Sequence, residues 1–129
     1  MDILQTLTED YQRFPRDQTY DIYHPNVYFK DPLNEFRGLQ RYKKNIAFIQ
    51  TWFKDVQLEV RDLQQRDRLI ATKWTLRWTT PLPWKPRIAI PGRSELALND
   101  DNLIISHVDY WDCSRLDVLK QHFVTSKSR

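Results

Sequence analysis

The stretch Leu103-Ile104-Ile105-Ser106-His107-Val108-Asp109-Tyr110-Trp111-Asp112-Cys113-Ser114-Arg115-Leu116 decides the fold. It reads as one long strand that stops at Asp112 and turns into a short helix. Strand side chains alternate between faces, so His107, Asp109 and Trp111 share one face. A face that carries an imidazole, a carboxylate and an indole is where a pocket is expected. After it, Ser114 and Asp117 have the spacing of a capping box, with Asp in place of the usual Glu or Gln. Leu116, Leu119 and Phe123 give the helix an apolar side. The polar tail 124–129 is expected to fray.

Working back from that strand, Asn99-Asp100-Asp101-Asn102 is a turn by composition. Residues 87–98 place Ile88, Ile90, Leu96 and Leu98 on one parity, with Pro91-Gly92 suggesting a bend. Pro81-Leu82-Pro83-Trp84-Lys85-Pro86 cannot pair as a central strand, because three prolines remove three donors. Residues 69–80 form a long strand with Ile70, Trp74, Leu76 and Trp78 on one face and Lys73, Thr75 and Arg77 on the other. Arg66-Asp67-Arg68 joins it to a strand over 57–65, whose register breaks near Arg61-Asp62-Leu63 and predicts a bulge.

The first half is more helical. Leu39, Tyr42, Ile46, Ile49 and Phe53 recur at steps of three and four, predicting a helix over 39–54 led by Gly38. Phe48 and Trp52 widen its apolar stripe, which is expected to pack as core. A short strand over 26–31 puts Val27, Phe29 and Asp31 on one face and Tyr28 and Lys30 on the other, and Pro25 suggests a sheet edge. Leu4, Leu7, Tyr11 and Phe14 mark a helix over 2–14 that Pro15 ends. A short helix near 18–23, capped by Asp17, completes the list.

The chain has 129 residues with 40% hydrophobic and 29% charged, which bounds it to one soluble domain over 1–129, its core at 2–123. With only two Gly it has neither a P-loop nor a dinucleotide fingerprint. The net charge of +3 is scattered, so a solvated surface is expected rather than a nucleic-acid partner. The single Cys113 fits a reducing compartment. No apolar run approaches a membrane span, and no membrane partner is expected. His24, His107 and His122 lie far apart and show no metal-ligand spacing, so neither metal nor cofactor is expected. The expected location is the cytoplasm.

Helices packed on the concave face of a strongly curved, mainly antiparallel sheet make an α+β cone. The end of the last strand, the Phe29-Lys30-Asp31-Pro32 strand end and the Gly38-led helix resemble the nuclear transport factor 2-like superfamily, with its SnoaL-like polyketide-cyclase and ketosteroid-isomerase types. Phe29–Leu33, Pro81–Arg87, Ser94-Glu95-Leu96 and His107–Leu119 resemble one uncharacterised family within it, found in photosynthetic organisms; for such relatives the plastid stroma is an alternative location. The isomerase-type relatives use an Asp in the cone as proton shuttle. The Arg-x-Asp that epoxide-opening relatives use is absent, since the nearest stretch reads Lys73-Trp74-Thr75.

Asp109 is the leading candidate for chemistry. A carboxylate in mid-strand between apolar neighbours sits where desolvation raises its pKa and suits it to proton transfer. His107 is its candidate partner. Its bland alternative is a hydrogen-bonded structural carboxylate. Tyr28, Asp31, Trp74, Trp78, Trp84, Arg87 and Trp111 are the candidate ligand-binding residues. For Asp31 the alternative role is capping its turn, and for the Trp84 loop it is a lid or packing. Cys113, at a helix start that lowers thiol pKa, lacks a base and is not expected to be a nucleophile. Two functions follow: a pocket for a small apolar or weakly anionic molecule, with Asp109–His107 proton transfer if it turns over; or a non-catalytic module, a homodimer or protein contact through the outer sheet face. A cavity on the order of 300 Å³ with Asp109 turned inward supports the first, and a solid cone with Asp109 outside supports the second.

Overall fold

The computed structural model describes residues 2–123; the tail 124–129, expected to fray, lies outside the described residues. Strands β1 (Tyr23–Lys30), β2 (Glu35–Arg37), β3 (Lys54–Arg66), β4 (Leu69–Thr79), β5 (Arg87–Leu98) and β6 (Ile104–Trp111) form one sheet. Its order is β2-β1-β6-β5-β4-β3. Neighbours are antiparallel except β1 and β6, which run parallel. Three helices, α1 (Ile3–Arg13), α2 (Leu39–Trp52) and α3 (Arg115–Gln121), accompany it. This is the expected α+β cone. α1 packs against β3, α2 against β1 and β2, and α3 against β5.

The alternation read from the sequence fixes which face is inside. Ile88, Ile90, Ser94, Leu96 and Leu98 of β5 are buried, as are Ile70, Thr72, Trp74 and Trp78 of β4. Each fully buried Ile or Leu contributes roughly 1.5–3 kcal/mol relative to exposure. The bulge near Arg61 is present, as a register shift between Val60 and Asp62. α3 begins on the expected capping box, Ser114 with Asp117. α1 is capped by Asp2, which accepts from the Leu4 amide at 3.0 Å.

Several expectations are corrected. Pro25 does not mark an edge, for β1 lies between β2 and β6. It falls inside the register shift between Tyr23 and Tyr28, where the ladder asks for no donor. β1 starts at Tyr23, because a single 3-10 turn, Tyr20–Ile22, replaces the short helix; Asp17 sits at φ 50° and caps nothing. β5 is not interrupted at Pro91-Gly92, which pair in register with Thr75 and Trp74. β2 was not anticipated: three residues are too few to show a period. The apolar stripes of α2 and α3 are buried only in part. Tyr42, Ile46 and Val118 are core, but Phe48 and Trp52 are each 54% exposed, and Leu116, Leu119 and Phe123 are 56%, 56% and 69% exposed. Among the described residues no helix is long and apolar enough to cross a membrane.

Candidate functional site

The concave face encloses a cavity of about 380 Å³. Its walls come from all three helices and from β1, β3, β4, β5 and β6. Aromatic rings dominate. Phe53 stacks on Trp78 at 4.6 Å, and Phe29 and Tyr42 lie 5.4 Å apart.

A glycine sets the position of the polar centre. A Cβ at Gly92 would stand 2.6 Å from both the Trp74 ring and the Tyr110 carbonyl oxygen. Without one, the Trp74 indole lies across β5 and its Nε1–H donates to Ser94 Oγ at 2.8 Å. Ser94 Oγ then donates to Asp109 Oδ1 at 2.5 Å. Ser94 and Asp109 are register partners on β5 and β6, which brings the hydroxyl to the carboxylate. His107 Nε2 lies 2.8 Å from the same Oδ1. A carboxylate oxygen accepts, so this nitrogen carries the hydrogen. The imidazole packs among Phe29 (5.0 Å), Tyr42 (5.7 Å) and Tyr23 (6.3 Å). Two acceptors remain open. No described residue bonds Asp109 Oδ2, and the buried His107 Nδ1 has no partner among them.

A second relay begins the same way. Trp78 Nε1–H donates to Thr80 Oγ1 at 2.9 Å, and Thr80 Oγ1 lies 2.9 Å from His122 Nε2. His122 Nδ1 faces the Val118 carbonyl at 2.9 Å and so must donate to it, which leaves Nε2 to accept from Thr80 in the neutral ring. Both ring nitrogens are satisfied.

The other carboxylates differ in how far they are committed. Asp10, 4% exposed, accepts from Arg13 (2.8 Å), from the Thr19 amide (3.0 Å) and from its hydroxyl (2.9 Å). It ties the end of α1 to the 3-10 turn. Asp31 Oδ1 accepts from the Leu33 and Asn34 amides at 2.8 and 2.6 Å, the expected turn cap. Burial raises the Asp31 pKa, these hydrogen bonds pull it back, and the charge of Asp109 adds to the rise. Tyr11, Tyr23 and Tyr42 are all raised by burial and remain neutral phenols. Tyr11 Oη reaches Thr72 Oγ1 at 3.5 Å, and Tyr23 and Tyr42 meet through their hydroxyls at 3.4 Å.

The structure thus brings Asp31, Trp74, Trp78, His107, Asp109 and Trp111 to one cavity. It leaves three of the sequence candidates outside. Tyr28 is on the opposite face of β1 from Phe29; its hydroxyl donates to Glu35 at 2.6 Å and the Arg37 guanidinium covers its ring. Arg87 is spent on the Asp55 carbonyl at 2.7 Å and on Thr79 at 3.2 Å. Trp84 is 54% exposed, stacks on Phe123 at 6.3 Å and donates to the His122 carbonyl. Cys113 is not activated, since burial together with Asp117 and Asp112 raises its pKa. Sequence reasoning missed Ser94, Tyr11, Tyr23 and Tyr42. Ser94 had one signal, a hydroxyl on the parity of Ile88, Ile90, Leu96 and Leu98.

Residues 1–107 match the family described as "Uncharacterized conserved protein (DUF2358)". The chain belongs to this family. The matched segment of the family reaches His107 and stops short of Asp109. No protein of curated function matches the chain. Among solved structures, a hypothetical protein with a ketosteroid isomerase-like fold from Catenulispora acidiphila, in complex with trimethylamine, is similar at TM-score 0.76 and 13% identity, covering 98% of this chain and 95% of that one. A putative SnoaL-like polyketide cyclase from Shewanella putrefaciens is similar at TM-score 0.71 and 17% identity, covering 95% and 97%. An LEH-like epoxide hydrolase from M. tuberculosis reaches TM-score 0.71 at 14% identity, covering 93% and 88%. At such identities these likenesses establish a shared fold, the nuclear transport factor 2-like cone, and not a shared reaction.

Proposed function

We propose that this member of the family holds a small, mainly apolar molecule inside the cone, oriented by Asp109, with Asp109 and His107 as the groups that would move a proton. One observation carries the reading: Asp109 Oδ2 has no partner among the described residues, nor has the buried His107 Nδ1, and both residues line an aromatic cavity of about 380 Å³. Ligand sites combine an apolar wall with a few convergent polar groups in this size range. An unpaired polar atom in such a place costs stability unless a ligand or water meets it. Asp109 Oδ2 is an acceptor, so a ligand group that donates, such as an alcohol hydroxyl, matches it. The weakly anionic ligand expected from sequence loses support, because Asp10, Asp31 and Asp109 line the cavity and, among the described residues, no Lys or Arg does.

The experiment is native mass spectrometry of protein purified from its own cells, followed by thermal-shift titration with the molecule released. A bound species that raises Tm in the natural protein and not in Asp109→Asn supports the reading. Protein that arrives empty and responds to no apolar alcohol or ketone in a panel overturns it.

A homodimer through the outer sheet face is the second reading. It is favoured by Ile105 and Tyr110 of β6, 38% and 37% exposed. Sedimentation equilibrium tests it, and a monomer at all working concentrations removes it.

A further inference from the structure

The cavity opens through a surface of unusual character. Leu33 and Phe48 line the cavity and are also 64% and 54% exposed, so they stand at its mouth. His122 lines the cavity too, and its carbonyl accepts from Trp84, which brings the proline loop to the same rim. Arg115 donates to the Pro32 carbonyl at 3.5 Å and ties α3 to the Leu33 loop. The rim therefore consists of the 31–34 loop, the second half of α2, the proline loop and α3.

That rim carries most of the large apolar side chains the molecule exposes. Leu33, Phe48, Trp52, Trp84, Leu116, Leu119 and Phe123 are all 54% exposed or more. Monomeric proteins rarely expose so many large apolar side chains on neighbouring elements without a use for them. Cations are interspersed by helical spacing. Lys44, Phe48 and Trp52 follow at steps of four on one face of α2, and Leu116 and Lys120 do so on α3. Lys85 follows Trp84. Lys44, Lys85, Arg115 and Lys120 are exposed, and none forms an ion pair among the described residues. Of the acids nearby, Asp117 accepts from the Ser114 amide in the cap and Asp31 holds its turn, while Asp55 shares the proline-loop surface with Lys54 and Lys85. On the outer sheet face, by contrast, Arg77 pairs with Glu59 at 3.0 Å and Arg93 with Asp112 at 3.1 Å.

We propose that the mouth of the cone docks on an anionic lipid bilayer. The exposed rings and leucines enter the headgroup boundary, and the free lysines meet lipid phosphates. Tryptophan at a rim, apolar neighbours and flanking Lys/Arg are the composition that partitions to such an interface, with charge attraction adding to apolar burial. The contact is peripheral, and it opens the cavity toward the phase where apolar molecules reside. This inference rests on the rim alone and does not depend on what the cavity holds.

The test is co-sedimentation of the full chain with vesicles of phosphatidylcholine, with and without phosphatidylglycerol, at low and high salt. Binding to the anionic vesicles is expected to be about tenfold tighter or more than to neutral ones, and to weaken with salt. Lys44→Glu with Lys120→Glu is expected to lower it by about tenfold. Trp52→Ser with Leu119→Ser is expected to abolish it, and brominated lipid should quench Trp52 and Trp84 while sparing buried Trp74 and Trp78. These side chains are exposed, so circular dichroism melts should stay near the natural protein's. Lys73→Glu, on the other face of the sheet, should keep binding. Failure to bind either vesicle overturns the proposal, as does binding that the paired charge reversal leaves unchanged. Self-association that is lost in Trp52→Ser with Leu119→Ser, without vesicle binding, assigns the rim to a second copy and also overturns it.

Discussion

Two relays in this cone begin alike and end differently. In one, Trp78 donates to Thr80, Thr80 meets His122, and His122 hands its last hydrogen to a backbone carbonyl. In the other, Trp74 donates to Ser94, Ser94 donates to Asp109, and Asp109 also takes His107. The first is closed, with each ring nitrogen of its histidine matched. The second stops at an imidazole nitrogen without a partner. Proteins satisfy buried polar atoms almost everywhere, which is why the proposed ligand site is placed at the open relay. The same residue types thus serve as structure in one place and candidate chemistry in another. The difference lies in whether the terminus is met by the chain.

The comparison breaks most forcefully at Gly92. Gly92→Ala sets a Cβ against the Tyr110 carbonyl and the Trp74 ring, both at 2.6 Å. The carbonyl belongs to the sheet, so relieving that clash distorts the β5–β6 backbone, and the indole must move as well. Overpacking of this kind costs about 1–3 kcal/mol. The expected result in urea unfolding is a loss of that size, with changed Trp fluorescence and loss of ligand binding. Natural stability in this variant would mean that Trp74 is not held across β5.

Ser94→Ala cuts the open relay one step later and strands the Trp74 N–H, a loss of about 2 kcal/mol. Thr80→Val does the corresponding damage to the closed relay and should cost about 1–2 kcal/mol, because Thr80 is only half-buried. The two should separate in function: ligand response vanishes with Ser94→Ala and persists with Thr80→Val. Equal loss of ligand response in both would erase the distinction drawn between the relays. Asp109→Asn keeps an oxygen for Ser94 and His107, and its stability should stay within about 1 kcal/mol of the natural chain while ligand response is lost. His122→Ala should show the reverse pattern.

How much of this was legible beforehand follows from period. β4, β5 and β6 alternate over eleven, twelve and eight residues, long enough for parity to place Trp74, Trp78, His107, Asp109 and Trp111 on the inner face. Tyr28 was readable as an outer residue by the same alternation, since it opposes Phe29, and its assignment to the cavity went against that parity. Ser94 was readable only as an odd hydroxyl; its meeting with Asp109 depends on the register between β5 and β6, which no local pattern encodes. The amphipathic stripe of α2 is expected as core, and that of α3 as an apolar side, because spacing reports that a face is apolar, not what covers it. Phe48, Trp52, Leu116 and Leu119 show the distinction.

The finest difference to test lies between two of the carboxylates that line the cavity, Asp31 and Asp109. Burial, with the charge of Asp109 added, raises the Asp31 pKa in the folded chain. The folded state then binds more protons than the unfolded one from the ordinary carboxylate range up to the raised value. Stability from this group is therefore present below that window, lost as pH rises through it, and flat above. Asp31→Asn keeps the Oδ1 that accepts from Leu33 and Asn34 but does not titrate. At neutral pH it should melt about 2 °C above the natural chain, and the advantage should disappear in acid. Since part of the rise is owed to Asp109, the same substitution made in Asp109→Asn should gain less. An undiminished gain there would mean that the two carboxylates do not feel each other across the cavity, and that Asp31 is set by burial and its turn alone.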